Sequence, residues 1–230
     1  MEEHRLIGKR MDELRNLIVQ IGGEAKTAVD RAMKALVERD SDLAADVLAH
    51  DDVIDRLEVE IDREVIEIFA LLQPAARDLR FVIAVAKITP VLERIADHAG
   101  NIATAAIELN NEPQLNEYAD LQYMASRVSE MLEQAIEAFT KEDSGLARRV
   151  IALDLEIDSI YHKVVRELIE SMRSEPTSSV RVSGLLFVAK HIERIGDYVK
   201  DACELTVYMI EAEFIKHPPK EQISPVETSS

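Results

Sequence analysis

The sequence has no tryptophan, one cysteine, and only seven glycines and seven prolines in 230 residues. With aromatics at 4% it lacks the turn punctuation and the aromatic alternation that sheets need, which excludes a β-sandwich or barrel. Cys203 stands alone, so an internal disulfide and a Cys-based zinc site are both excluded, and a reducing cytoplasm is the expected setting. Its longest apolar stretches, Phe81 to Ala86 and Leu185 to Ala189, fall far short of the roughly 20 residues that span a bilayer. Membrane contact is therefore expected only peripherally, through partners. Met1 to Gln20 carries seven charges within its first thirteen residues, so no signal peptide is expected there. Positive charge is also scarce: 27 Lys and Arg against 44 Asp and Glu leave a net charge of −17. A phosphate backbone is gripped by clustered cations, so nucleic acid is excluded as a partner, and metal cations or basic protein surfaces fit better.

Recognisable catalytic motifs are missing as well. There is no Walker-type loop, dinucleotide fingerprint or nucleophile elbow. None of the six histidines follows a glutamate by three, which disfavours a di-iron oxidase built in a helical bundle. Cys203 falls in an apolar period and reads as packing rather than as a nucleophile. His50, His98, His162 and His191 also read first as surface or packing residues.

What is present is 47% hydrophobic and 31% charged residue in helical periods. Punctuation divides the chain into six helices: about 3–38, 41–72 ended by Pro74, 76–110, 118–141, 144–173 and 176–216. Asp40-Ser41 and Asp143-Ser144 supply N-caps, and Pro90 inside the third helix predicts a kink there. The segment from Pro218 to Ser230 reads as a disordered tail.

The chain repeats itself. Asp40 to Asp55 aligned with Asp143 to Asp158, at an offset of 103, gives nine identities in 16 positions. Glu93-Arg94-Ile95-Ala96-Asp97 then matches Glu193-Arg194-Ile195-Gly196-Asp197 at an offset of 100. Duplication accounts for this, so the fold class is all-α: two tandem pseudo-symmetric three-helix bundles of long antiparallel helices, over 1–111 and 112–217. Helices of this length, about 50 Å, predict an elongated molecule.

Four helical rows concentrate carboxylates: Asp51 and Asp55; Glu93 and Asp97; Asp154 and Asp158; Glu193 and Asp197. Asn101 and Asp201 extend two of them by a turn. Residues four apart share a helical face, where like charges repel by about 0.2–0.5 kcal/mol per pair, a cost that a bound cation reverses. Chance alone supplies roughly eight acidic pairs at this spacing, and most acidic stripes are solvated faces. These rows stand apart because they recur at corresponding positions of both repeats. Hard oxygen ligands suit Mg, Mn, Ca or Fe. The competing reading is that Arg94 and Arg194 pair with the acids and that the motif fixes helix packing.

Several stretches together resemble the PhoU family of phosphate-uptake regulators. They are Asp51-x-x-x-Asp55 followed by Arg56-Leu57-Glu58, then Gln73-Pro74-Ala75-Ala76-Arg77-Asp78-Leu79-Arg80, then Glu93 through Ala103, and finally Asp154-x-x-x-Asp158 with Glu193 through Asp197. The resemblance implies metal clusters held by the acidic motifs, with divalent or trivalent ions such as Fe, Mn, Mg or Zn as cofactor. It implies a non-enzymatic adaptor between a phosphate ABC transporter, through its ATPase subunit, and a sensor histidine kinase, repressing uptake and the starvation response; a homodimer is the expected assembly. Asp201 stands where Asn101 predicts asparagine and Tyr198 stands opposite His98, so the two sites are expected to differ. A metal-dependent phosphohydrolase and a metal-free acidic scaffold for basic partners are the alternatives.

Overall fold

Two aspartates 103 residues apart begin the same construction twice. Asp40 and Asp143 both adopt extended backbone, and each side-chain Oδ1 accepts an amide three residues on, from Leu43 and Leu146, at 2.9 Å. Each of these amides is one of the donors that a helix start leaves unpaired. The helix before each cap closes in the same way. Arg39 (φ 58) and Glu142 (φ 52) take the left-handed conformation, and the amides of Asp40 and Asp143 reach back to the carbonyls of Ala35 and Ala138 at 2.9 Å. This is the Schellman closure, built here without glycine.

The computed structural model describes residues 2–113, 119–213 and 215. Among these, helices α1 (Glu2–Glu38), α2 (Ser41–Ala49), α3 (Asp51–Leu72) and α4 (Ala76–Asn110) form the first bundle. Helices α5 (Ala119–Lys141), α6 (Ser144–Ser174) and α7 (Ser179–Glu211) form the second, with a 3₁₀ turn at Pro176–Ser178 leading into α7. Two predicted ends, Tyr118 and Lys216, and the predicted tail from Pro218 lie outside the described residues.

One boundary corrects the sequence reading. The helix predicted over 41–72 is interrupted at His50, whose amide is shared between the carbonyls of Asp46 and Val47 and whose own carbonyl accepts the Val53 amide three residues on. That tightening breaks the i to i+4 ladder. His50 is held there by Glu24 of α1, 3.0 Å from its Nε2. The counterpart in the second bundle, Leu153, lies inside the unbroken α6. Pro90 lies inside α4, which runs as helix from Ala76 to Asn110, the bounds expected for it.

Helices α4 and α7 are apolar on several faces, and each is the central helix of its bundle. They pack on each other more extensively than any other pair, while α1 packs on α5, so the two bundles share one continuous core. Two glycines let the bundles approach. A Cβ on Gly22 of α1 would stand 2.6 Å from Ile136 Cδ1 of α5, and one on Gly184 of α7 would stand 2.8 Å from Leu109 Cδ2 of α4. At the end of the seam the Arg39 guanidinium donates to the carbonyls of Asn110 and Glu112 at 2.6 and 2.7 Å, covering the C-terminus of α4.

Candidate metal centre

The interruption at His50 restarts the chain at Asp51, so the first acidic row opens a helix. Negative charge is favoured at that end by the helix dipole. From there Asp51 and Asp55 project from α3 toward Glu93 and Asp97 on α4. Partial burial holds the Asp51 carboxyl above the usual carboxylate range, and the charges of Asp55, Asp97 and Asp52 add to the shift. Burial pushes Glu93 further, to about 7, reinforced by Asp97, by Glu58, by a hydrogen bond with Asp97 and by Asp55. The same cluster raises Glu58, again through burial first and then through Asp62, Asp55 and Asp97.

Five carboxylates from two helices thus repel one another across the α3–α4 seam. Beside them lies a cleft of about 330 Å³, lined by His50, Asp51, Asp97, Asn101 and Thr104 over an apolar floor that includes Ala28 and Ile54. Among the described residues no three His, Cys, Asp or Glu side chains stand in an arrangement that would already hold an ion, so binding requires the carboxylates to turn inward. The donor set fits a hard cation: it is all oxygen, and its mutual repulsion is what such an ion relieves.

The rows of α6 and α7, taken together as the second row against those of α3 and α4 as the first, are built differently. Asp154 of α6 is 4% exposed, and Lys200 Nζ of α7 donates to it at 2.5 Å. Lys190 Nζ donates to Glu193 at 2.6 Å, and Arg194 pairs with Asp197 at 3.5 Å. Burial raises the Asp197 carboxyl, as do Glu193 and Asp154, while Arg194 and Lys200 oppose them. Asp158 is half-buried. Asp201 lines a separate cleft with Lys87, Val91 and Glu204. Here cations of the chain itself already lie on the acids.

The Arg-pairing reading therefore holds on one side only. Arg194 does meet Asp197, whereas the Arg94 guanidinium sits over the Tyr198 ring, 5.9 Å from its centre, and so bridges α4 to α7. Cys203 is fully buried and its thiol is pushed up to about 12 by that burial and then by Glu204, in keeping with a packing role.

Three features escaped the sequence reading. Glu58 belongs to the first cluster, but its counterpart at offset 103 is Tyr161, so demanding recurrence in both repeats removed it. Lys190 and Lys200 stand at the positions matching Pro90 and Gly100 at offset 100, and that divergence between the copies is the signal that marks them. The third is the contact of His98 with His191, which belong to different bundles and share no sequence pattern.

The PhoU domain model matches residues 18–106 and 121–206. A phosphate-specific transport system accessory protein PhoU homolog of Aquifex aeolicus is 38% identical over 209 residues, covering 91% of this chain and 95% of that protein. Its namesake in Pseudomonas aeruginosa is 34% identical over 90% of this chain and 86% of that protein. The crystal structure of PhoU from Pseudomonas aeruginosa superposes with a TM-score of 0.86 at 34% identity, covering 90% of this chain and 99% of that one. That of the phosphate transport system regulatory protein PhoU from Streptococcus pneumoniae gives 0.85 at 26% identity, over 92% and 100%. With two matched segments that together span most of its length, and acidic rows on the paired helices of each, the chain belongs to the PhoU family.

Proposed function

We propose that this protein is a non-enzymatic regulator of phosphate uptake that represses transport and starvation signalling when phosphate is plentiful. It acts as a cytoplasmic adaptor, a homodimer, between the ATPase subunit of a phosphate ABC transporter and a sensor histidine kinase, and it carries divalent or trivalent metal on its acidic rows. The units of this design are the two repeats, 1–111 and 112–217.

The observation that carries the reading is the uncompensated α3–α4 cluster in a chain whose relatives are named as accessory proteins of phosphate transport. Iron, manganese, magnesium and zinc all accept carboxylate oxygen, and Asp51, Asp55, Glu58, Glu93 and Asp97 are the residues that would hold the ion. Bound metal would neutralise the seam and lock α3 against α4, giving partners a rigid face. No described helix is long and apolar enough to cross a membrane.

Deleting the gene tests the role. In phosphate-replete medium the deletion is expected to raise both a phosphate-starvation reporter and phosphate uptake, with wild-type protein restoring repression. A reporter that stays silent with uptake unchanged overturns the reading. Pull-downs from phosphate-replete and phosphate-starved cells then identify the bound membrane proteins.

A further inference from the structure

The two acidic rows are copies of one ancestral site, yet they differ in what faces them. We propose that the first bundle alone takes metal, and that the second has replaced its ion with two lysines of its own. This rests on the reading that the α3–α4 carboxylates of this chain bind metal.

At an offset of 100, Lys190 and Lys200 occupy the positions of Pro90 and Gly100. Proline and glycine bring no cation to the first row. In the second, the two ammonium groups lie 2.6 Å from Glu193 and 2.5 Å from Asp154. An ammonium is a compact charge with three donors, and one tethered beside a carboxylate answers it without the shell of several oxygen ligands that a divalent ion requires. Tyr161 stands where the first row has Glu58, and Lys190 also lies 5.4 Å from the centre of its ring. The second row has therefore lost one ligand and gained two cations.

Exposure follows the same division. Asp154 is buried beneath Lys200, whereas its counterpart Asp51 is only partly covered and lines the first cleft. The charged neighbours that act on Asp51, Glu58 and Glu93 are all acids, and Arg94 is drawn away over Tyr198. An ion entering the second row would have to expel Lys200 from a nearly closed contact. An ion entering the first meets, among the described residues, only acids around Asp51, Glu58 and Glu93, with no cation of the chain to displace from them.

Manganese is the probe, with bound metal per chain read by elemental analysis and by calorimetric titration. Glu93→Gln with Asp97→Asn is expected to abolish binding, and Asp154→Asn with Glu193→Gln is expected to leave it unchanged. Lys190→Gln with Lys200→Gln is expected to double the metal bound and to enlarge the rise in melting temperature on adding manganese. If the double variant melts too early for titration, Lys200→Gln alone is read in the same way by its manganese-induced melting shift. Half the wild-type metal surviving in the Glu93/Asp97 variant would show both rows loading and overturn the inference while leaving metal binding intact. No gain in either lysine variant overturns it as well. Wild-type protein that binds no manganese overturns the underlying reading and the inference with it.

Discussion

His98 of α4 and His191 of α7 meet Nδ1 to Nδ1 at 2.6 Å, so one ring donates and the other accepts across the seam between the bundles. Burial lowers both imidazoles. His191, which also feels His98, falls to about 4, and His98 is lowered by burial and by Arg194 against the pull of Asp97 and Glu193. Phe187 caps the pair edge-on at 4.2 Å. An unfolded histidine titrates near 6.5 and so binds more protons than folded His191 between there and about 4. The contribution of this pair is thus fully present above the unfolded value and is lost as pH falls through that window. In chelator-treated protein, His191→Gln is expected to reduce the acid-side loss of melting temperature. An unaltered pH profile would refute the assignment.

Glu93 has the opposite slope. Its folded value, about 7, lies above the unfolded one of 4.5, so the folded state binds more protons in between. Metal-free protein should therefore lose stability through Glu93 as pH rises from 4.5 to 7, and Glu93→Gln should remove that loss. Denaturant melts at several pH values, with chelator present, measure it. A variant less stable than wild type at pH 7.5 would contradict the repulsion described.

The paired caps offer a test of the duplication itself. Asp40→Ala and Asp143→Ala are each expected to cost about 1 kcal/mol. Because the two sites are remote from each other, the double variant should show the sum to within about 0.5 kcal/mol. Urea unfolding reads all three, and a negligible loss in either single variant would show that its cap is not holding the helix.

How much of this was legible beforehand depends on the range of the interaction. The caps at Asp40 and Asp143, the bounds of α4 and the two-bundle fold follow from local chemistry and from periodicity, and the structure reproduces them. The break at His50 was not legible, because no proline or glycine marks it and its side-chain partner, Glu24, comes from another helix. Glu58 and the two lysines were hidden by the repeat itself, since matching the copies draws attention to what they share and away from where they diverge. The acidic rows were visible as rows, but their unequal surroundings are a matter of packing.

Close packing at the α1–α5 seam predicts a compensation. Gly22→Val would drive its side chain into Ile136, whose Cδ1 already stands 2.6 Å from where a Cβ would go, at a cost of about 1–3 kcal/mol. Ile136→Ala in the same chain should recover part of that loss, which a double-mutant cycle by thermal melting resolves. Strictly additive losses would show that the two side chains do not meet.

The shared α4–α7 wall has a consequence for the history of the fold. Cut the chain between its repeats and each piece bares the flank of its central helix, largely oily and bearing one histidine of the His98–His191 pair. For such a fragment the nearest remedy is a twin, pressed back to back about a two-fold axis. Tandem duplication removes that need for a second molecule, since one polypeptide supplies both faces of the plane and holds them at a fixed ratio.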